Sequence, residues 1–272
     1  MSDGQAGAGT VGKALEVLDQ VASYGRPVRF GELLSSSRFP KATLYRLIQS
    51  LASEGMLAFD PERQTYALGV RLVRLAHAAW ETSSLAPVAR MHVEALARKV
   101  GETVHLAQLD HASVLYVDKV AAHETIPMFA QAGKVGPAYC TGVGKAMLAF
   151  LPPAELETAI GQQSFHPFTD HTVTTPFALQ AELEAIRDRG FAFDREEHEP
   201  GIICVALPIL TARGRLLGAL SVTSSTARTT LRALEERVPT IRATAQAIAE
   251  EAMQWRFPDP VSHPAASKEK LP

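Results

Sequence analysis

Cysteine is scarce in this chain, with Cys140 and Cys204 the two among 272 residues. That count does not indicate a disulfide framework, and a reducing, cytoplasmic setting is the default expectation. No apolar run approaches the roughly 18 residues of a membrane span, and no secretory signal is recognisable, so no membrane partner is expected. A large charge excess is lacking too. The formal net charge of −2 excludes a uniformly basic nucleic-acid coat while leaving a local basic face open. Also missing are the signatures of several enzyme classes, namely G-x-S-x-G, H-E-x-x-H and a complete P-loop. At 46% hydrophobic and 21% charged residues, the composition is that of a globular protein. Its length allows one large or two ordinary domains.

The near miss to a P-loop is Tyr139 to Ala146, YCTGVGKA. A Walker A loop needs G-x-x-x-x-G-K-[ST], because its amides wrap phosphates and the final hydroxyl holds Mg²⁺. Tyr139 stands where the first glycine belongs and Ala146 where the hydroxyl belongs, so ATP and GTP are excluded as the reason for the motif. What remains is a pair of glycines feeding a helix N-terminus, a place where free N–H groups suit an anion. Gly142 and Gly144 would let backbone approach a ligand, and Thr141 would cap the helix or donate a hydrogen bond. The plainer alternative is that the glycines only permit a tight strand-to-helix turn. Lys145 is expected to point to solvent.

Local basicity does exist at the N-terminal end. Between Tyr24 and Arg74 there are eight Lys and Arg (Arg26, Arg29, Arg38, Lys41, Arg46, Arg63, Arg71, Arg74) and four acids, against a negative whole chain. Val11, Ala14, Leu15, Leu18 and Val21 follow helical spacing, and Gly25 and Pro27 end that helix. A short helix over Phe30–Leu34, a serine-rich turn, and a third helix with Pro40 at its first position follow. Leu44, Leu47, Ile48 and Leu51 share one face of that third helix. Two short strands around Asp60 to Gln64 make a hairpin. This order describes a winged helix-turn-helix, whose third helix enters the major groove. Lys41, Thr43, Tyr45 and Arg46 lie off its apolar stripe, and Arg63 and Gln64 sit at the hairpin tip; these six are the expected DNA contacts.

The stretch FPKATLYRLIQSLASEGML, Phe39 to Leu57, resembles the recognition-helix signature of the IclR family of bacterial transcriptional regulators, L-P-K-S-T-x-x-R-L-L-x-x-L-x-x-x-G-x-L. Phe39 replaces the customary leucine and Ala42 the customary serine, which leaves Lys41, Thr43 and Arg46 as matched positions. Two further stretches resemble the effector-binding domain of that family, a fold similar to GAF and PAS sensors. They are Cys140 to Pro152 and Gly190 to Ile209, where Asp194, Glu196, Glu197, Gly201, Cys204, Ala206 and Pro208 match. The resemblance spans roughly residues 10 to 253. It implies a pocket for a small, often carboxylate-bearing metabolite. Gly142 and Val143 would supply wall and amide donors, and Asp194, Cys204, Ser221 and Thr223 polar lining. Met128, Phe129 and Leu207 would set its size, with Leu207 narrowing it where the family more often has alanine.

The larger region is expected to be α+β. Val70 to Ser83 reads as a linker helix, and about Leu85 to Val100 as another. Strands are expected at 103–109, 114–120 and 126–130, then a helix at 145–151 stopped by Pro152 and Pro153. A helix over 179–189, strands near 191–194, 204–209 and 216–223, and one long helix over 228–255 complete it. The expected division is a winged helix-turn-helix at 10–69, a linker at 70–84 and an effector-binding GAF/PAS-like domain at 85–255. Disorder is expected in the first ten residues and in a proline-rich tail at 256–272.

The same residues offer other chemistry. A thiol enzyme or hydrolase with an accessory helical domain would use Cys204 and a base among His105, His166, His171 and His198, but Cys204 lies in an apolar strand where an inert thiol is commoner. A zinc site from His105, Cys140, His198 and Cys204 lacks the usual ligand spacing. Asp194 to Glu197 reads as a solvated acidic loop. The expectation is therefore a ligand-responsive transcription factor, a repressor or dual regulator of a catabolic operon, not an enzyme. It would need no cofactor or metal, bind double-stranded operator DNA as a dimer or tetramer, and respond to a small organic acid.

Overall fold

A computed structural model describes residues 9–121 and 127–253, with backbone alone at 81–83. The chain divides into two compact units between Glu81 and Thr82. The tail at 256–272, residues 1–8 and Ile126 lie outside the described residues.

The first unit holds α1 (Thr10–Ser23), β1 (Val28–Arg29), α2 (Phe30–Ser36), α3 (Lys41–Ser53), β2 (Leu57–Asp60), β3 (Thr65–Leu68) and most of α4 (Val70–Ser83). Thr10, expected in a disordered stretch, opens α1. The apolar stripes behave as their spacing requires, with Val17, Leu18 and Val21 of α1 packed with Leu44, Ile48 and Leu51 of α3. Pro40 is the N-cap of α3 rather than its first helical residue. Its carbonyl accepts from the Thr43 and Leu44 amides at 2.9 and 3.0 Å. The hairpin pairs Leu57 with Leu68 and Asp60 with Thr65, and β1 joins it to give the order β1-β3-β2. A two-residue strand such as β1 carries no periodicity to read.

The second unit contains α5 (Ala86–Val100), β4 (Thr103–Asp110), β5 (Ser113–Val120), β6 (Val135–Pro137), α6 (Gly142–Leu148), α7 (Pro153–Gly161), α8 (Pro176–Arg189), β7 (Ala192–Arg195), β8 (Ile202–Leu210), β9 (Leu216–Ser225), α9 (Leu231–Glu235) and α10 (Val238–Ala252). Its strands form one antiparallel sheet, β6-β5-β4-β9-β8-β7. Alternation sends Val104, Leu106, Val205 and Val222 to the face covered by α5 and α10. It sends Ala107, Cys204, Ala206 and Ala219 to the face where Val143, Ala146 and Met147 of α6 and Leu183 and Ile186 of α8 pack. An α+β sheet with helices on both faces is the result.

Four sequence expectations need correction. Residues 127–130 are not a strand; the partner of β5 is β6, where Val135 pairs with Leu115. The helix after the glycines begins at Gly142, not Lys145, and ends at Leu148, so both glycines are helical. Pro153 opens α7 rather than merely stopping a helix, as proline without its N–H is tolerated in a first turn. The last long helix is two, because Glu236 and Arg237 separate α9 from α10 and Pro239 sits in the first turn of the latter.

Candidate functional site

In the first unit, the exposed side of α3 carries Lys41, Tyr45 and Arg46, with Thr43 half-buried, while Leu44, Leu47 and Ile48 face the core. Several nearby cations are engaged elsewhere. Arg26 pairs with Glu32, Arg38 with Glu16 and Arg71 with Glu54, each at 2.5 Å. Among the described residues Lys41 and Arg46 have no ion pair, and they remain available for phosphate or base edges. Tyr45 meets Phe30 edge-on at 5.8 Å, which orients the ring beside α2. At the hairpin tip Arg63 is exposed and 3.9 Å from Asp60. Gln64 adopts φ 55° and turns its amide back to the Pro61 carbonyl at 2.8 Å, so part of its donor capacity is spent on the turn.

In the second unit, a small cavity opens between α6 and the sheet. Its lining includes all eight residues expected from sequence: Met128, Thr141, Gly142, Val143, Asp194, Cys204, Ser221 and Thr223. They come together because β8 and β9 pair Cys204 with Thr223, β7 and β8 pair Asp194 with Cys204, and Ser221 follows two residues from Thr223 on the same face. Thr141 occupies the N-cap of α6 in extended conformation, yet its hydroxyl donates to the Pro137 carbonyl at 2.7 Å instead of capping. Leu207 is corrected: it is buried in β8 one position out of phase with Cys204 and Ala206, and does not line the cavity.

The two glycines of α6 answer to packing. Neither has positive φ. A methyl on Gly142 would run into Cys204 Sγ, and one on Gly144 into the Ala138 carbonyl. Glycine is required because the helix lies tightly on β8 and on the turn before it, while Gly142 still forms part of the cavity wall. The tight seat carries Lys145 inward. Against expectation, Lys145 is fully buried and ion-paired with Glu197, with Glu182 3.9 Å away. The acidic stretch is likewise not a solvated loop, since Asp194 and Glu197 are both buried. Asp194 Oδ1 accepts from the Glu197 amide at 2.9 Å. Burial, and then the neighbouring Glu197 charge, raise the Asp194 carboxyl to about 7.

Sequence reasoning missed His105, Tyr116, Ala130, His198, Glu199 and Ile202 as lining, although the two histidines were weighed for other chemistry. His105 pairs with Ser221 across β4 and β9, a register that no local pattern announces. Its Nδ1 stands 3.2 Å from Thr223 Oγ1 and 3.4 Å from Ser221 Oγ. Glu199 accepts from the Phe129 amide through both oxygens, at 2.5 and 2.9 Å, which holds the Met128–Ala130 segment over the cavity. Phe129, expected to help set the pocket's size, is in the lining.

Both units have known counterparts. The IclR helix-turn-helix domain matches residues 10–61, and the bacterial transcriptional regulator IclR C-terminal domain matches residues 77–250. The chain belongs to the IclR family of transcriptional regulators. The DNA-binding transcriptional repressor YiaJ of Escherichia coli (strain K12) is 30% identical over 253 residues, covering 90% of this chain and 88% of that protein. The crystal structure of Thermotoga maritima IclR matches at a TM-score of 0.71 with 30% identity, over 89% of this chain and 98% of the other. An IclR homolog from Microbacterium hydrocarbonoxydans, crystallised with 4-hydroxybenzoate, shares the fold at a TM-score of 0.76 and 22% identity, over 90% and 100% of the two chains.

The regulator therefore combines a DNA-binding unit with an effector-binding unit and is not an enzyme. The thiols agree with that assignment. Burial pushes both Cys140 and Cys204 well above the usual thiol range, so neither supplies a thiolate. Among the described residues no group of three or more His, Cys, Asp or Glu is placed to hold a metal ion, and no helix is long and apolar enough to cross a membrane.

Proposed function

We propose that the regulator binds an operator of two half-sites as a dimer or tetramer, and that a small organic acid entering the cavity changes its operator affinity. In this reading residues 10–69 contact DNA, 70–84 connect, and 85–255 sense the metabolite. The observation that carries it is the gathering of Thr141, Gly142, Val143, Asp194, Cys204, Ser221 and Thr223 around a single cavity. Hydroxyls and first-turn N–H groups of α6 are donors suited to a carboxylate. Because α6 has only seven residues, its separate N–H groups matter more here than a macrodipole. The 4-hydroxybenzoate of the Microbacterium homolog is itself a carboxylate, and the name of YiaJ supports repression over activation. One recognition helix covers few base pairs, which favours two half-sites and a symmetric oligomer.

The effector shifts operator affinity only through unequal binding to the DNA-competent and incompetent states. The test is a panel of small carboxylates, scored by melting temperature and by retardation of DNA from upstream of the regulator's own gene. At least one acid is expected to raise the melting temperature and change the retarded fraction. Asp194→Ala or Ser221→Ala should blunt that response while sparing DNA binding. A panel in which no carboxylate moves either measurement overturns the reading.

A further inference from the structure

On the cavity face of β4 and β5, two side-chain nitrogen atoms have no hydrogen bond among the described residues, His105 Nε2 in the cavity lining and Lys119 Nζ beside it. His105 is 1% exposed and lines the cavity; its Nδ1 has the Ser221 and Thr223 hydroxyls, but its Nε2 has no partner. Lys119 stands directly opposite His105 in the β4–β5 pairing, so both side chains share the cavity face of the sheet. Its Nζ has no exposed surface and no hydrogen-bond partner. Two adjacent buried donors left unpaired forgo their water without a replacement, which native folds seldom tolerate unless something else completes the site.

Among the described residues no protein group fills the role. Glu199 acts on Lys119 electrostatically, but its two oxygens share the single N–H of Phe129, and no ion pair with Lys119 forms among the described residues. Asp194, the other cavity carboxyl, is hydrogen-bonded to the Glu197 amide. Burial, and then the Lys119 charge, lower the His105 pKa to about 3 and keep the ring neutral, against a smaller opposing influence of the Ala130 backbone. In the tautomer whose Nδ1 accepts from one of these hydroxyls, the single ring hydrogen sits on Nε2, and an anion in the cavity would select that tautomer. An ammonium beside an N–H donor is a receptor for an anion with two oxygens, and a carboxylate satisfies both at once.

We propose that His105 and Lys119 receive a second carboxylate, which makes the effector a short dicarboxylate with one acid group at the α6 wall and the other at this pair. The inference rests on the carboxylate reading of the cavity and deepens it.

Calorimetry on the full-length protein with matched acids tests it: succinate against butyrate, and glutarate against pentanoate. At least one dicarboxylate is expected to bind about tenfold or more tightly than its monocarboxylate partner, the usual worth of a charge-assisted hydrogen bond. Lys119→Met should erase that preference and leave monocarboxylate affinity unchanged, and Lys119→Arg should retain it. His105→Gln, which keeps a donor of similar reach, should reduce it less than His105→Leu. Equal affinity for both members of each pair, or a preference that survives Lys119→Met, overturns the second site while the first reading stands. Failure of all four acids to bind overturns both.

Discussion

Lys145 and Glu197 form an ion pair inside the effector-binding unit, with the ammonium fully buried and the carboxylate side chain 3% exposed. The pair ties α6, which supplies Gly142 to the cavity, to the turn that follows β7, the strand that supplies Asp194. Glu182 of α8 joins from 3.9 Å and itself holds Arg189 at 2.7 Å and Arg195 at 3.2 Å. The position of α6 is thus set by charge as well as by the absence of side chains at Gly142 and Gly144.

Removing one partner should be costly. Lys145→Met leaves Glu197 charged and buried without its partner, and is expected to lower unfolding free energy by about 3–5 kcal/mol, the usual penalty for breaking a buried pair. Adding Glu197→Met should recover much of that loss. Urea unfolding of the single and double variants gives the comparison. A single variant as stable as wild type would show that the pair is not what seats α6.

Gly142→Ala tests the packing side of the same seat. The new methyl meets Cys204 Sγ, which is buried in β8 and can move little. Overpacking of this kind costs about 1–3 kcal/mol. Combining it with Cys204→Ala removes the sulfur and should restore part of the stability. If the double variant is no better than the single, the clash lies elsewhere along α6.

How much of this was legible from sequence depended on the range of the interaction. Local patterns announced α1, α3, the hairpin and β4 to β9 apart from β6, since each carries its own periodicity. The three-residue β6 and the two-residue β1 have none. The cavity was legible on eight residues through family motifs, yet His105, Tyr116 and Glu199 reach it through strand register and a loop. The inward turn of Lys145 was the clearest miss. A lysine in an isolated helix belongs in solvent, and only the partner 52 residues away makes burial possible.

On the DNA side, Arg46→Ala should lower operator affinity by about tenfold or more and, if the contact is to phosphate, reduce the salt slope by about one. Arg38→Ala should matter less, because that guanidinium is already committed to Glu16 at 2.5 Å. Gel retardation at several salt concentrations separates the two. Equal losses for both variants would mean that the ion pair with Glu16 opens on DNA.

Asp194 gives the regulator a pH dependence whose direction follows from burial. Its carboxyl titrates near 3.8 in the unfolded chain and at about 7 in the fold, chiefly through desolvation and then through Glu197. Below 3.8 both states hold the proton, and the group makes no difference. Between these values the unfolded chain binds fewer protons than the folded one, so rising pH favours unfolding until the loss is complete above about 7. Asp194→Asn removes this titration. Its stability relative to wild type should climb between about pH 4 and 7 and then level, by a total on the order of a few kcal/mol, because each pKa unit is worth about 1.4. Denaturant unfolding at intervals across that range measures the difference. A difference that stays flat would mean that Asp194 remains ionised in the fold, held so by Lys145, and that its buried carboxylate is already compensated before any effector arrives.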